Sequence, residues 1–68
     1  MKPHRTIVGL DFLAHSPSLL EYHGAYIGYD GHRWLVGALG QWGRKEFLSA
    51  HEAALVVRAA FYGQEAVG

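Results

Sequence analysis

The stretch Glu21-Tyr22-His23-Gly24-Ala25-Tyr26-Ile27-Gly28-Tyr29-Asp30-Gly31-His32-Arg33-Trp34-Leu35-Val36-Gly37-Ala38-Leu39 decides how the middle of this chain folds. Its pivot is Asp30-Gly31. An Asp-Gly pair can take the positive φ angles of a type I′ turn, whose twist matches that of two antiparallel strands. The runs on either side are rich in aromatic and β-branched residues, so they read as the two arms of a hairpin. With a two-residue loop, Tyr29 faces His32, Ile27 faces Trp34, Ala25 faces Val36 and His23 faces Ala38. Because side chains alternate along a strand, these residues share one side of the ribbon. The other side carries Tyr22, Gly24, Tyr26 and Gly28, and across from them Arg33, Leu35, Gly37 and Leu39. The first side, with Ile27, Trp34, Val36 and Ala25, is the expected core.

Working outward, Thr6 to Leu13 places Val8, Leu10 and Phe12 at period two, the pattern of a strand with one buried face. His15-Ser16-Pro17-Ser18 breaks that run, either as a loop or as one helical turn started by Pro17. Gly40-Gln41-Trp42-Gly43 reads as a second turn. Arg44 to Leu48 reads as a third strand with Phe47 inward, its register left open by the two nearby glycines. Ser49-Ala50-His51-Glu52 is a capping box: the serine hydroxyl accepts a backbone N–H at the third helical residue, and glutamate stands three positions on. The helix should run to about Tyr62 and stop at Gly63. Ala53, Val56, Val57 and Ala60 define its expected buried face, with Leu55 and Tyr62 among the exposed residues. Residues 64–68 are expected to fray. The fold expected is α+β: an antiparallel sheet of three to four strands with one C-terminal helix packed on one face, in a single domain spanning 1–68.

Size and composition narrow the function. The chain has 68 residues, half of them hydrophobic, and no cysteine. Disulfides and thiolate metal sites are therefore excluded, and nothing signals an oxidising compartment. Lysine plus arginine number 6 and aspartate plus glutamate 6, so the formal charge is zero. That balance suits neither a nucleic-acid binder with a basic stripe nor an acidic nucleic-acid mimic. No apolar run approaches the ~20 residues of a membrane span, and Asp11 interrupts the one that follows Lys2 and Arg5. A cytoplasmic protein is expected.

Catalytic patterns are sparse. The five histidines, His4, His15, His23, His32 and His51, include no i, i+4 pair on a helix, and no metal or other cofactor is expected. Ser49 is accounted for as a helix cap, Asp30 as a turn residue, and no glycine motif for phosphate precedes a helix. The expectation is a protein without enzymatic activity. Its most informative surface is the second side of the hairpin. Tyr22, Tyr26, Arg33 and Leu35 stand there among glycines that allow close approach, and Trp42 is a second candidate anchor. Three readings of that side stay open. The N-terminal segment can fold over it and complete the core. It can stay exposed as a protein-binding patch. Or Tyr22 and Tyr26 can stack on single-stranded nucleic acid, making the chain a small nucleic-acid-binding accessory or regulatory module. Homodimerisation through Leu55 and Tyr62 is compatible with each.

The motifs Tyr22-His23-Gly24-Ala25-Tyr26-Ile27-Gly28-Tyr29-Asp30, Trp34-Leu35-Val36, Gly43, Phe47-Leu48-Ser49 and Glu52-Ala53 resemble small ββ(β)α proteins carried by phages and prophages, among them anti-CRISPR proteins. The resemblance covers about half the chain, and its motifs are structural. It implies stoichiometric inhibition of a host protein such as a CRISPR-Cas effector subunit, in particular one of a type I Cascade. It carries over no catalytic residue, because the motifs contain none. The neutral charge departs from strongly acidic DNA-mimicking inhibitors and points instead to a blocked protein surface.

Overall fold

The computed structural model describes residues 3–63; residues 1–2 and the tail expected to fray, 64–68, lie outside the described residues. Six strands run in the order of the chain, each antiparallel to the next: β1 (His4–Ile7), β2 (Leu10–Ser16), β3 (Leu19–Tyr22), β4 (Ala25–Tyr29), β5 (Trp34–Ala38) and β6 (Gln41–Trp42). One helix, α1 (Ala50–Tyr62), follows and packs on one face of this meander. The expected class is therefore right and the strand count low by at least two.

The extra strands come from turns that do not advertise themselves. Val8-Gly9, His23-Gly24 and Leu39-Gly40 each pair two positive φ angles: 46° and 81°, 47° and 91°, 56° and 78°. Positive φ at both central residues is the type I′ arrangement. The glycine supplies one of them freely; histidine tolerates the left-handed region better than most residues, whereas valine and leucine enter it against their preference. The expected strand over 6–13 is thus two strands meeting at Val8-Gly9, and the expected strand over 21–29 is two meeting at His23-Gly24. Gln41-Trp42 is a strand beyond the Leu39-Gly40 turn instead of part of a turn. The chain rejoins the sheet at Phe47, which exchanges two backbone hydrogen bonds of 2.8 Å with Trp34.

Asp30-Gly31 behaves differently from expectation. Tyr29 pairs with Trp34, so the loop has four residues, 30–33. The Asp30 carboxylate accepts the N–H groups of His32 and Arg33, both at 2.8 Å, and only Gly31 has positive φ. An aspartate side chain that substitutes for a backbone acceptor makes this wider turn. The register slides by two residues from the two-residue-loop expectation: Ile27 opposes Val36 and Ala25 opposes Ala38. A slip of two preserves the face of every side chain.

The helix-covered face holds the core. Phe12, Leu20 and Ile27 from the sheet are sealed against Ala53, Ala54 and Val57 of α1. Ala14, Leu20, Ile27 and Val36 form one cross-strand row. Small alanines let the helix approach the sheet closely, as expected, but its buried positions are Ala50, Ala53, Ala54 and Val57. Val56 and Ala60, expected inside, are exposed. The helix starts at Ser49, whose Oγ accepts the Glu52 N–H at 3.2 Å, and ends at Gly63, whose N–H reaches Ala59 O at 2.8 Å.

Candidate functional site

Among the described residues no helix lies on the opposite face of the sheet. The first hairpin does not fold across it. β1 and β2 extend the sheet in plane and send Ile7, Leu10 and Phe12 to the helix side. The register puts two rows of side chains on the uncovered face. One runs His4, Leu13, Glu21, Tyr26, Gly37, Trp42, one residue from each strand in order. The other runs Leu19, Gly28, Leu35.

Trp42 lies flat on the two glycines of these rows. A Cβ added at Gly28 would sit 2.8 Å from Trp42 Cη2, and one at Gly37 would sit 2.8 Å from Trp42 Cε3. Both glycines are therefore the floor on which the indole rests, since no side chain fits between ring and backbone. Trp42 stays 50% exposed. A shallow hollow of about 210 Å³ opens on one flank, between Tyr26, Leu19, Ala38 and Gln41. A second of about 230 Å³ opens on the other, between Leu35, Leu19, Tyr29 and Asp30. Trp42 forms a wall of both.

The far end of the face is polar. His15 Nε2 lies 2.6 Å from Glu21 Oε1, and His4 Nδ1 lies 3.1 Å from Asp11 Oδ1. The hydrogen bond from His15, helped by the Gly24 N–H and Tyr26, holds the Glu21 carboxyl below the usual carboxylate range. A hollow of about 460 Å³ is lined by Asp11 and Glu21 together with His4, Leu13, Tyr22 and His23. The face thus divides into an apolar end at Trp42 and a polar end where Asp11 and Glu21 pair with His4 and His15.

The residues singled out from sequence do not all meet here. Tyr26, Leu35 and Trp42 do. Tyr22 touches only the rim of the hollow at Asp11 and Glu21: the His23-Gly24 turn reverses the chain, so Tyr22 opposes Ala25 and its ring goes under the helix. There it is 8% exposed, its ring edge-on to Phe61 and its hydroxyl hydrogen-bonded to that of Tyr62. Arg33 sits in the 30–33 loop, where its Nη1 donates to His32 O at 3.0 Å and its Nε lies 3.7 Å from Glu46. It lines none of the three hollows. Leu19 and Glu21 were missed as members of this face. Their signal was Gly24: a turn at that glycine brings Glu21 beside Tyr26 and Leu19 beside Gly28. On the helix, Leu55 and Tyr62 are both exposed, as expected, and the Tyr62 hydroxyl also bonds that of Tyr22.

Among the described residues no group of three metal-ligating side chains converges, and no helix is long and apolar enough to cross a membrane. Comparison with protein-family models, curated proteins and solved structures finds no match.

Proposed function

We propose that this chain is a non-enzymatic binding module that acts by occupying a partner protein's surface with its uncovered sheet face. The observation that carries this is Trp42, spread flat on Gly28 and Gly37 and half exposed between two apolar hollows. Tryptophan and tyrosine held on a rigid sheet lose little side-chain freedom when a partner docks, which is why such residues dominate binding hot spots. The hollows are too shallow to exclude water from a reaction but suit the side chains of a docked segment. The resemblance to phage inhibitors supplies the first target to test, a host CRISPR-Cas effector subunit, with inhibition by stoichiometric binding.

Nucleic acid is the less favoured occupant of this face. Stacking on Tyr26 and Trp42 requires a cationic groove along the backbone. The strand positions of the uncovered face hold Asp11 and Glu21 and no lysine or arginine.

Affinity capture with the full chain from cells expressing a CRISPR system tests the proposal. Capture of an effector subunit that is lost with Trp42→Ala and with Tyr26→Ala, kept with Leu55→Ala, and accompanied by reduced interference in cells is the expected result. Capture that is indifferent to Trp42→Ala, or an empty capture with interference intact, refutes it.

A further inference from the structure

Three turns of the meander hold a non-glycine residue at positive φ, and one of the three side chains does nothing for the fold. Val8, His23 and Leu39 stand at φ 46°, 47° and 56°, each followed by a glycine that is also positive. An L-residue with a Cβ resists that region, histidine less than most, and asparagine or aspartate is the usual residue before glycine in such a turn. Val8 packs against the core, and the His23 ring meets Tyr22 edge-on at 4.5 Å between centroids. Leu39 serves no such contact: it is 97% exposed, more than any other large hydrophobic residue described. A leucine exposed on its own is ordinary. A leucine exposed in a disfavoured backbone conformation is not, and such outliers gather at functional sites.

Leu39 also adjoins the site. Its turn joins β5 to β6 directly, with Ala38 paired to Gln41 and Gly37 to Trp42. Its neighbours Ala38, Gly40 and Gln41 line the hollow between Trp42 and Tyr26, and no charged side chain lines that hollow. We propose that Leu39 is an apolar anchor of the binding face, and that the partner protein receives it in an enclosed, uncharged apolar cavity whose rim rests on Trp42. The paired turn fixes the leucine backbone before docking, so little more than the rotamers of one side chain is ordered on binding. Magnitudes separate this receiver from the others. Full burial of a leucine strengthens binding by about tenfold to hundredfold. Beside Trp42 that is a large increment in a protein contact. It is too little to hold a chain on a bilayer, where even one myristoyl group binds only marginally. A second copy of this chain does not supply the cavity either, since the hollows against Trp42 are shallow and open.

This role rests on the proposed use of the face for protein binding, and the two fail separately. Wild type, Leu39→Asn, Leu39→Ala, Leu39→Met and Trp42→Ala are compared as full chains. Each is used for capture from cells expressing a CRISPR system, for titration against the captured effector subunit, and for urea unfolding. Leu39→Asn and Leu39→Ala should bind about tenfold to hundredfold more weakly. Leu39→Asn should do so while unfolding at a higher urea concentration than wild type. Leu39→Met, which keeps an apolar side chain of similar volume, should lose less than about tenfold. A loss confined to variants with a lowered urea midpoint overturns the anchor, because Leu39 would then be structural. So does a loss as large with methionine as with asparagine. A dimer by light scattering that Leu39→Asn dissolves, or binding to phosphatidylserine vesicles that requires Leu39, also overturns it. If Leu39→Asn and Leu39→Ala bind like wild type while Trp42→Ala abolishes capture, the anchor falls and the proposed function stands. An empty capture, or one indifferent to Trp42→Ala as well, ends both.

Discussion

Leu39→Asn should make this protein more stable, although it removes a large hydrophobic side chain. Leu39 opens the turn between β5 and β6 at φ 56°, and its side chain is 97% exposed. An ordinary L-residue in the left-handed region costs about 1–2 kcal/mol, because Cβ crowds the backbone; asparagine relieves part of that with a short polar side chain. Nothing is lost in exchange, since the leucine buries almost nothing. A gain of about 0.5–1 kcal/mol follows, and for a domain of this size it raises the melting temperature by about 2–8 °C. The substitution also places an Asn-Gly pair at the turn, the strongest two-residue hairpin signal.

The fold supplies its own controls. Val8 and His23 occupy the same turn position at φ 46° and 47°. Val8 packs against the core, and the His23 ring lies edge-on to Tyr22 at 4.5 Å between centroids. Substituting asparagine there relieves comparable backbone strain but forfeits packing, so both variants should gain less than Leu39→Asn or lose stability. Urea midpoints with unchanged slopes, followed by far-ultraviolet circular dichroism, measure all three. A Leu39→Asn variant no more stable than wild type, or a Val8→Asn variant that gains more, refutes the reasoning. It would mean that backbone strain is not the term that matters at these turns.

Other outcomes follow from the glycine floor, the core and the carboxylates. Gly37→Ala brings a Cβ to 2.9 Å from the Gln41 carbonyl as well as into the indole, and should lower stability by about 1–3 kcal/mol in urea unfolding. Gly28→Ala meets only the far end of the Trp42 ring, so it should be milder and should shift tryptophan emission by tilting the indole. Phe12→Ala, at a fully buried position, should remove about 3–5 kcal/mol. That equals what a core of this size supplies, so circular dichroism should show a largely unfolded chain. Asp30 is held below the usual carboxylate range by the N–H groups of Arg33 and His32, and Glu21 by His15. A carboxylate with a depressed folded pKa contributes stability that is present above its unfolded pKa and lost as pH falls through the folded one. Urea midpoints should therefore drop below about pH 4, and Asp30→Asn, which keeps an acceptor but cannot titrate, should flatten that drop.

The helix was legible in sequence because its signals are local: Ser49, Glu52 and Gly63 each act within a few residues. The faces of the 25–39 hairpin were legible too, since an error of two residues in register leaves alternation intact. The other hairpins were not. Val8, His23 and Leu39 lack the asparagine or aspartate that announces a type I′ turn, so Gly9 and Gly24 looked like strand glycines and Gly40 like the start of a longer turn through Gly43. One unseen turn at Gly24 then carried Tyr22 to the wrong face, because a reversal resets which parity points inward. Trp42 stood out in sequence as a candidate anchor, but its resting place did not. Seeing that Gly28 and Gly37 leave room for one indole requires the pairing of three strands.

Among the described residues one helix lies against one side of the sheet and nothing lies against the other. Thirteen helical residues span about 20 Å, close to the roughly 24 Å width of five strand spacings, so that helix is spent on the side it seals. The chain therefore has to leave the second side compatible with water. At β1 to β3 it does so with His4, Asp11, His15 and Glu21, paired among themselves. At β4 to β6 it does not use polar residues. It removes side chains at Gly28 and Gly37 and lays an indole over the gap, keeping Leu19, Tyr26 and Leu35 around it. Solubility alone would be served better by threonine or lysine at those positions, which favour strands or charge without exposing tryptophan. An aromatic plate on a glycine floor has a different physical use: it is rigid before binding, so a partner that covers it gains apolar contact without first ordering the site.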